Sequence, residues 1–109
     1  AIPIHDYQFL GVTVEEIGTN ELREMIDNLK EKLQSAVIIL ASNINGKVSF
    51  VVGVTENLTK KIKAGDIAKQ LGEDVGGKGG GRDSMAMAGG IKADAIDAAI
   101  QKVKNHLER

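Results

Sequence analysis

The sequence predicts an α/β fold, a small sandwich in which a mixed β-sheet of about four strands packs against three helices. Two observations predict it. Three stretches carry apolar residues at helical spacing, and short apolar runs rich in β-branched residues alternate with them in the order β-α-β-β-α-β-α. A chain of 109 residues with 42% hydrophobic residues fits one domain, spanning 1–109. Because the chain begins with Ala1 rather than methionine, we expect it to be a piece of a longer protein.

The first strand and the first helix are predicted from residue type and spacing. Gln8–Ile17 is rich in β-branched and aromatic residues, which favours a strand. Thr19 is predicted to be the N-cap of a helix that ends near Gln34. The apolar residues of this helix recur at positions i, i+3, i+4, i+7 and i+11, namely Leu22, Met25, Ile26, Leu29 and Leu33.

A hairpin follows the first helix. Ala36–Ser42 is a continuous apolar run, as expected of a strand that is covered on both faces. The dipeptide Asn45-Gly46 predicts a tight turn, after which Lys47–Thr55 returns as the third strand.

The second half of the chain predicts a helix, a short strand and a last helix. The second helix extends from about Asp66 to Asp74, and Ser84–Ala88 is predicted to be a short buried strand. The last helix begins near Asp94, with Asp97 as a partner resembling a capping box. The residues predicted to face the core are Ile67, Leu71 and Val75 in the second helix and Ile96, Ile100, Val103 and Leu107 in the last.

The charge and the cysteine content exclude several classes of function. The formal net charge of −1 gives no overall field that would recruit a membrane or nucleic acid, so a basic surface has to be local. The segment from 47 to 82 holds seven basic and four acidic residues. The chain contains no cysteine, which fits a cytoplasmic protein, and no apolar run of membrane-spanning length, so we expect no membrane partner.

The segment Gly76–Gly90 (GGKGGGRDSMAMAGG), here called the glycine segment, is the most unusual part of the sequence. We predict a glycine-rich loop between the second helix and the last strand. A flexible linker is disfavoured because periodic segments flank it, and no G-x-G-x-x-G pattern fits. Gly72, Gly77 and Lys78 satisfy the start of a phosphate-binding P-loop, but Gly79 stands where serine or threonine is required.

The glycines can still form a binding surface. Consecutive glycines let backbone N–H groups bind anions and let a flat surface approach the main chain. Lys78 and Arg82 bracket Gly79, Gly80 and Gly81 and add two positive charges suited to phosphate. The structural alternative is a helix C-terminal turn followed by solvated lysines, which accounts for one or two glycines. With only three aromatic residues in the chain, folded RNA is a better ligand than stacked single-stranded bases.

The pattern G-G-K-G-G-G-R, followed by M-A-x-A-G-G before a final helix, resembles the DHH-associated domain. Members of this family close alanyl-tRNA synthetases and follow the catalytic domain of DHH-type phosphoesterases. Arg82 stands where the phosphoesterase branch usually has histidine, which favours the synthetase branch. Asp83 and Met87 replace the proline and glutamine that are common in synthetases.

The resemblance implies a non-catalytic domain that binds the elbow of tRNA and supports aminoacylation and editing elsewhere in the parent enzyme, an alanine–tRNA ligase. The implied tRNA-binding residues are Gly76, Gly77, Lys78, Gly79, Gly80, Gly81, Arg82, Lys61 and Lys63. No cofactor is expected in this domain; ATP, magnesium and zinc would belong to other domains of the parent, which could dimerise through a segment outside this chain.

Two alternatives stay open: the substrate-binding domain of a DHH phosphoesterase that acts on nucleic acid, and a stand-alone anion- or nucleotide-binding module. Lys30, which lies far from the glycine segment in sequence, is expected to have little effect on RNA binding.

Overall fold

The computed structural model describes residues 2–109, which form six strands and three α-helices. The strands are β1 (Ile2–Ile4), β2 (Tyr7–Glu15), β3 (Ala36–Ile44), β4 (Lys47–Val54), β5 (Lys78–Gly81) and β6 (Met85–Gly90). The helices are α1 (Thr19–Leu33), α2 (Ala64–Asp74) and α3 (Ile96–Glu108). Short 3-10 turns at Glu56–Leu58 and Ala93–Ala95 precede α2 and α3.

All six strands form one sheet in the order β1-β2-β3-β4-β6-β5. The β2–β3 pair is parallel and the other pairs are antiparallel, which confirms the predicted mixed sheet with three helices. The sheet has more strands than the predicted four because β1 and β5 are edge strands with weak signals. β1 has three residues, and β5 consists of one lysine and three glycines, which have low strand propensity.

The sheet separates two apolar clusters. On one face, α1 places Leu22 and Ile26 against Ile38, Leu40 and Val51 of the sheet. On the other face, α2 and α3 pack on a larger cluster centred on the sheet residues Phe9, Val37, Ile39, Phe50, Val52 and Ala86. The predicted inward-facing residues lie in these clusters, with Ile100 and Leu107 packed at the margin of the second. The fold is therefore a three-layer arrangement, helix on sheet on helices.

The predicted hairpin is confirmed. Asn45 and Gly46 form its turn with φ angles of 51° and 83°, and Ile44 pairs with Lys47. Two consecutive residues with positive φ are the geometry that matches the twist of the adjoining strands, which is why this dipeptide is a strong signal.

The predicted helix starts differ from the observed ones. The cap of α1 is Gly18, whose carbonyl accepts the first helical bond from the Leu22 amide at 3.1 Å, so Thr19 is already helical. α3 begins at Ile96, and its start in the described chain has no side-chain cap. The N-cap position of α3 is occupied by Ala95. Asp94 lies one residue earlier, within the 3-10 turn, and therefore forms no capping box with Asp97.

Candidate functional site

The glycine segment starts as the end of α2. Gly76 has φ of +76°, its amide donates to the carbonyl of Glu73 at 3.2 Å, and the Gly77 amide donates to the carbonyl of Gly72 at 2.7 Å. This pair of bonds is a Schellman motif, in which glycine adopts the left-handed conformation that ends a helix. Gly76 therefore has a structural role in helix termination.

The next residues form a strand rather than the predicted loop. β5 pairs with β6 at the edge of the sheet and lies directly against α2. A Cβ atom on Gly72 would lie 2.6 Å from the carbonyl oxygen of Lys78, and one on Gly65 would lie 2.8 Å from that of Gly81. A Cβ atom on Gly79 would overlap the carbonyl of Ala68. Helix and strand backbones touch here, and only glycine permits that approach.

Gly80 differs from its neighbours. Among the described glycines from 76 to 81, it alone has open space where a Cβ atom would be, with nothing within 4 Å. Successive residues of a strand face opposite sides, so Gly80 faces away from α2, as do Lys78 and Arg82. Gly80 pairs with Met87, a residue that is 43% exposed.

We define the open sheet face as Lys78, Gly80, Arg82, Met87 and Gly89. Lys78 pairs with Gly89 on β6, beside the Gly80–Met87 pair. The amide of Arg82 donates to the carbonyl of Met85 at 2.9 Å, so the ladder continues to Arg82. The result is a small surface with Gly80 at its centre, the exposed Met87 beside it and a cation at each end.

A groove of about 550 Å³ separates the open sheet face from α1. Gly80, Arg82, Met85 and Met87 line one side, and α1 contributes Arg23, Asp27 and Lys30. These α1 residues are not among the binding residues predicted from the sequence. Their spacing of four and three residues places them on one face of the helix. This spacing is the sequence pattern that could have indicated a shared role for them.

Lys30 holds the β5–β6 turn in place. Its Nζ atom donates to the carbonyl oxygen of Ser84 at 2.7 Å, and that oxygen also accepts the Val54 amide at 2.9 Å. Burial lowers the pKa of Lys30 from the ordinary lysine value, while Asp27 and Glu56 act in the opposite direction. Tertiary packing thus joins Lys30 to the glycine segment across 54 positions of sequence, and its small expected effect on RNA binding stays a prediction.

The other side of the turn is held by the start of α2. The amides of Ala64 and Gly65 donate to the carbonyls of Asp83 and Arg82 at 2.9 and 3.0 Å. These helix N-terminal donors are occupied by the protein itself and are not available to a phosphate. The ammonium group of Lys63 forms an ion pair with the Asp83 carboxylate at 3.2 Å, and this pair partly neutralises the positive charge of Lys63.

Comparison with known families identifies the chain. Residues 6–109 match the DHHA1 domain, nearly the whole of the described chain. The chain belongs to the DHHA1 domain family. This assignment confirms the resemblance that the glycine segment suggested.

Curated relatives of this DHHA1 domain are alanine–tRNA ligases. It is 44% identical to the enzyme of Dechloromonas aromatica and 46% identical to that of Paraburkholderia phymatum, over 99% of this chain in both cases. The chain spans 12% of the length of these relatives and matches their C-terminal region, not the catalytic part.

A solved structure shows the same fold. The C-Ala domain from Aquifex aeolicus alanyl-tRNA synthetase superposes with a TM-score of 0.92 and 29% sequence identity, covering 99% of this chain and 97% of that one. Within residues 2–109 of this DHHA1 domain, no helix combines the length and apolar character needed to cross a membrane.

The DHHA1 domain does not bring all predicted binding residues together. Lys78, Gly80 and Arg82 share the open sheet face, whereas Gly79 is packed against α2. Lys61 is exposed elsewhere and lines a separate groove with Val103 and Leu107 of α3, on the opposite side of the sheet from α1. The tRNA-binding role of these residues remains a prediction.

Proposed function

We propose that this domain binds the elbow of tRNA through the open sheet face, as the C-terminal domain of an alanine–tRNA ligase. Gly80 carries the proposal, since packing accounts for Gly79 and helix termination for Gly76, whereas nothing in the fold requires glycine at position 80. A residue without a side chain on an open face, flanked by two cations, suits the approach of a flat, negatively charged ligand.

The physical match is with folded RNA. The elbow of tRNA ends in a flat tertiary base pair, which can lie on Gly80 and Gly89 while Lys78 and Arg82 reach the phosphates on either side. In this proposal Gly76, Gly77, Gly79 and Gly81 shape the strand that presents Gly80. Lys61 and Lys63 contribute at most a longer-range attraction, because Lys63 is paired and Lys61 lies at a different groove.

The rest of the proposed function belongs to the parent protein. The domain supports aminoacylation and editing by holding tRNA, while ATP, magnesium and zinc act in other domains in the cytoplasm. Those domains and a possible second copy of the parent are the expected protein partners. Elbow features are shared by most tRNAs, so we expect discrimination for alanine to reside outside this domain.

The test is a titration of the domain with tRNA at two salt concentrations, for the parent sequence and three variants. We expect weak, saturable binding that falls as salt rises, because few cations reach phosphates. Gly80→Val should weaken binding and leave the thermal midpoint unchanged or higher, since valine suits a strand and position 80 has space. Arg82→Ala should weaken binding by about 1–2 kcal/mol through loss of a charge-assisted contact.

Lys32→Ala is the matched control, because Lys32 is an exposed cation of α1 that does not line the groove. It should bind tRNA within about twofold of the parent sequence. The proposal is wrong if Gly80→Val and Arg82→Ala both bind as tightly as this control. Titration with a dinucleotide and with ATP tests the two alternatives, since a phosphoesterase substrate domain or a nucleotide-binding module should bind these ligands in preference to tRNA.

A further inference from the structure

Each of the two walls of the groove beside the open sheet face carries an arginine. Arg82 extends from the end of β5, and Arg23 lies opposite on α1. Neither guanidinium group takes part in a hydrogen bond or an ion pair with the rest of residues 2–109. The third arginine, Arg109, lies near the end of α3 at another groove. Two of the three arginines thus face one cavity with their donors unused.

The groove is also lined by apolar and acidic side chains. Met85 and Met87 supply apolar surface on the sheet side of the groove, and Met87 is 43% exposed. Asp27 and Glu56 lie at the groove and interact with the charge of Lys30. A volume of about 550 Å³ lies within the range of small-molecule sites, roughly 300–1,000 Å³.

We propose that this groove holds one unpaired nucleotide of the bound RNA. Each part of a nucleotide meets a suitable group: Arg23 and Arg82 contact the phosphates on its two sides, Met85 and Met87 cover one face of the base, and the carboxylates accept hydrogen bonds from base N–H groups. RNA-binding proteins commonly read bases that are splayed from loops in this way. The inference rests on the proposed RNA binding and adds α1 to the binding surface.

Arg23 is the residue that tests it. Arg23→Ala should weaken tRNA binding about fivefold to tenfold, because a charge-assisted contact to phosphate is lost. The slope of log affinity against log salt should fall by about one. Arg23→Lys, which keeps the charge but loses the planar fork, should recover part of the affinity. Lys32→Ala, on the same helix but outside the groove, should leave affinity within about twofold.

Photocrosslinking locates the nucleotide. With tRNA that carries 4-thiouridine, irradiation should link RNA to the peptide containing Met85 and Met87, and Arg23→Ala should reduce the yield. Crosslinks confined to other parts of the domain, or an Arg23→Ala affinity equal to that of Lys32→Ala, would overturn the inference. The proposed function fails separately: if Arg82→Ala and Gly80→Val weaken binding while Arg23→Ala does not, tRNA still binds the open sheet face and only the nucleotide groove is wrong.

Discussion

Substitution of Gly79 by alanine tests whether the glycines serve close packing of β5 on α2. A Cβ atom at this position would lie 2.7 Å from the Cβ of Ala88 and still closer to the carbonyl oxygen of Ala68. The backbone carbonyl of α2 cannot rotate away as a flexible side chain could. The only relief is a shift of β5 or α2, which disturbs the ladder with β6 or the packing beneath the helix.

The expected loss of unfolding free energy follows from the usual cost of overpacking. Overpacking of a well-packed interior costs about 1–3 kcal/mol, and a contact between two backbones falls in the middle or upper part of this range. A loss of about 2 kcal/mol corresponds to a fall in the thermal midpoint of roughly 9 °C for a domain of 109 residues. Urea unfolding followed by far-ultraviolet circular dichroism should show a lower midpoint with an unchanged slope.

Gly80→Ala is the matched comparison, one residue further along the same strand. Its Cβ would enter open space, and alanine restricts the unfolded chain more than glycine does. We therefore expect stability equal to that of the parent sequence or higher by up to ~1 kcal/mol. If the two variants unfold at the same urea concentration, or if Gly80→Ala is the less stable, the packing account of this strand is refuted.

Two further substitutions test the contacts that frame the site. Lys30→Met keeps an unbranched side chain but removes the bond to the Ser84 carbonyl, and should lower the free energy of unfolding by about 1 kcal/mol in urea titrations, with Lys32→Ala as the control. Gly76→Ala places a Cβ in the left-handed region that ends α2 and should cost about 1–2 kcal/mol; a thermal midpoint equal to that of the parent sequence would exclude this strain.

The helices and the hairpin were predictable because their signals are local. The spacing of Leu22 and Ile26 marks the face of α1 that is buried, and both side chains are fully buried. The dipeptide Asn45-Gly46 carries its own backbone preference, so the turn and the pairing of β3 with β4 follow from two residues.

The edge strand β5 could not be predicted because its stability is tertiary. Glycine has low strand propensity, and this segment contains three in a row. Its conformation is fixed by pairing with β6 on one edge and by contact with α2 on one face. Strand propensity alone therefore predicts a loop for this segment.

The α1 side of the groove was missed for a related reason. Asp27 and Lys30 resemble ordinary solvated residues of an amphipathic helix, and nothing in the local sequence indicates that Lys30 bonds to Ser84. The charges that Arg23 and Arg82 add to one cavity come from segments 59 positions apart. Only the fold shows that these residues are neighbours.

The alternation of a strand explains how one short motif can combine packing with an exposed surface. In β5 the odd-numbered Gly79 and Gly81 face α2 and β6, where a Cβ would clash, while Lys78, Gly80 and Arg82 face the groove side. A slip of one residue would point both cations into the packed layer and expose the glycines that packing requires. The sequence K-G-G-G-R therefore fixes the register of β5. Its central glycine is the one that packing does not demand, which is why we propose a role in binding for Gly80.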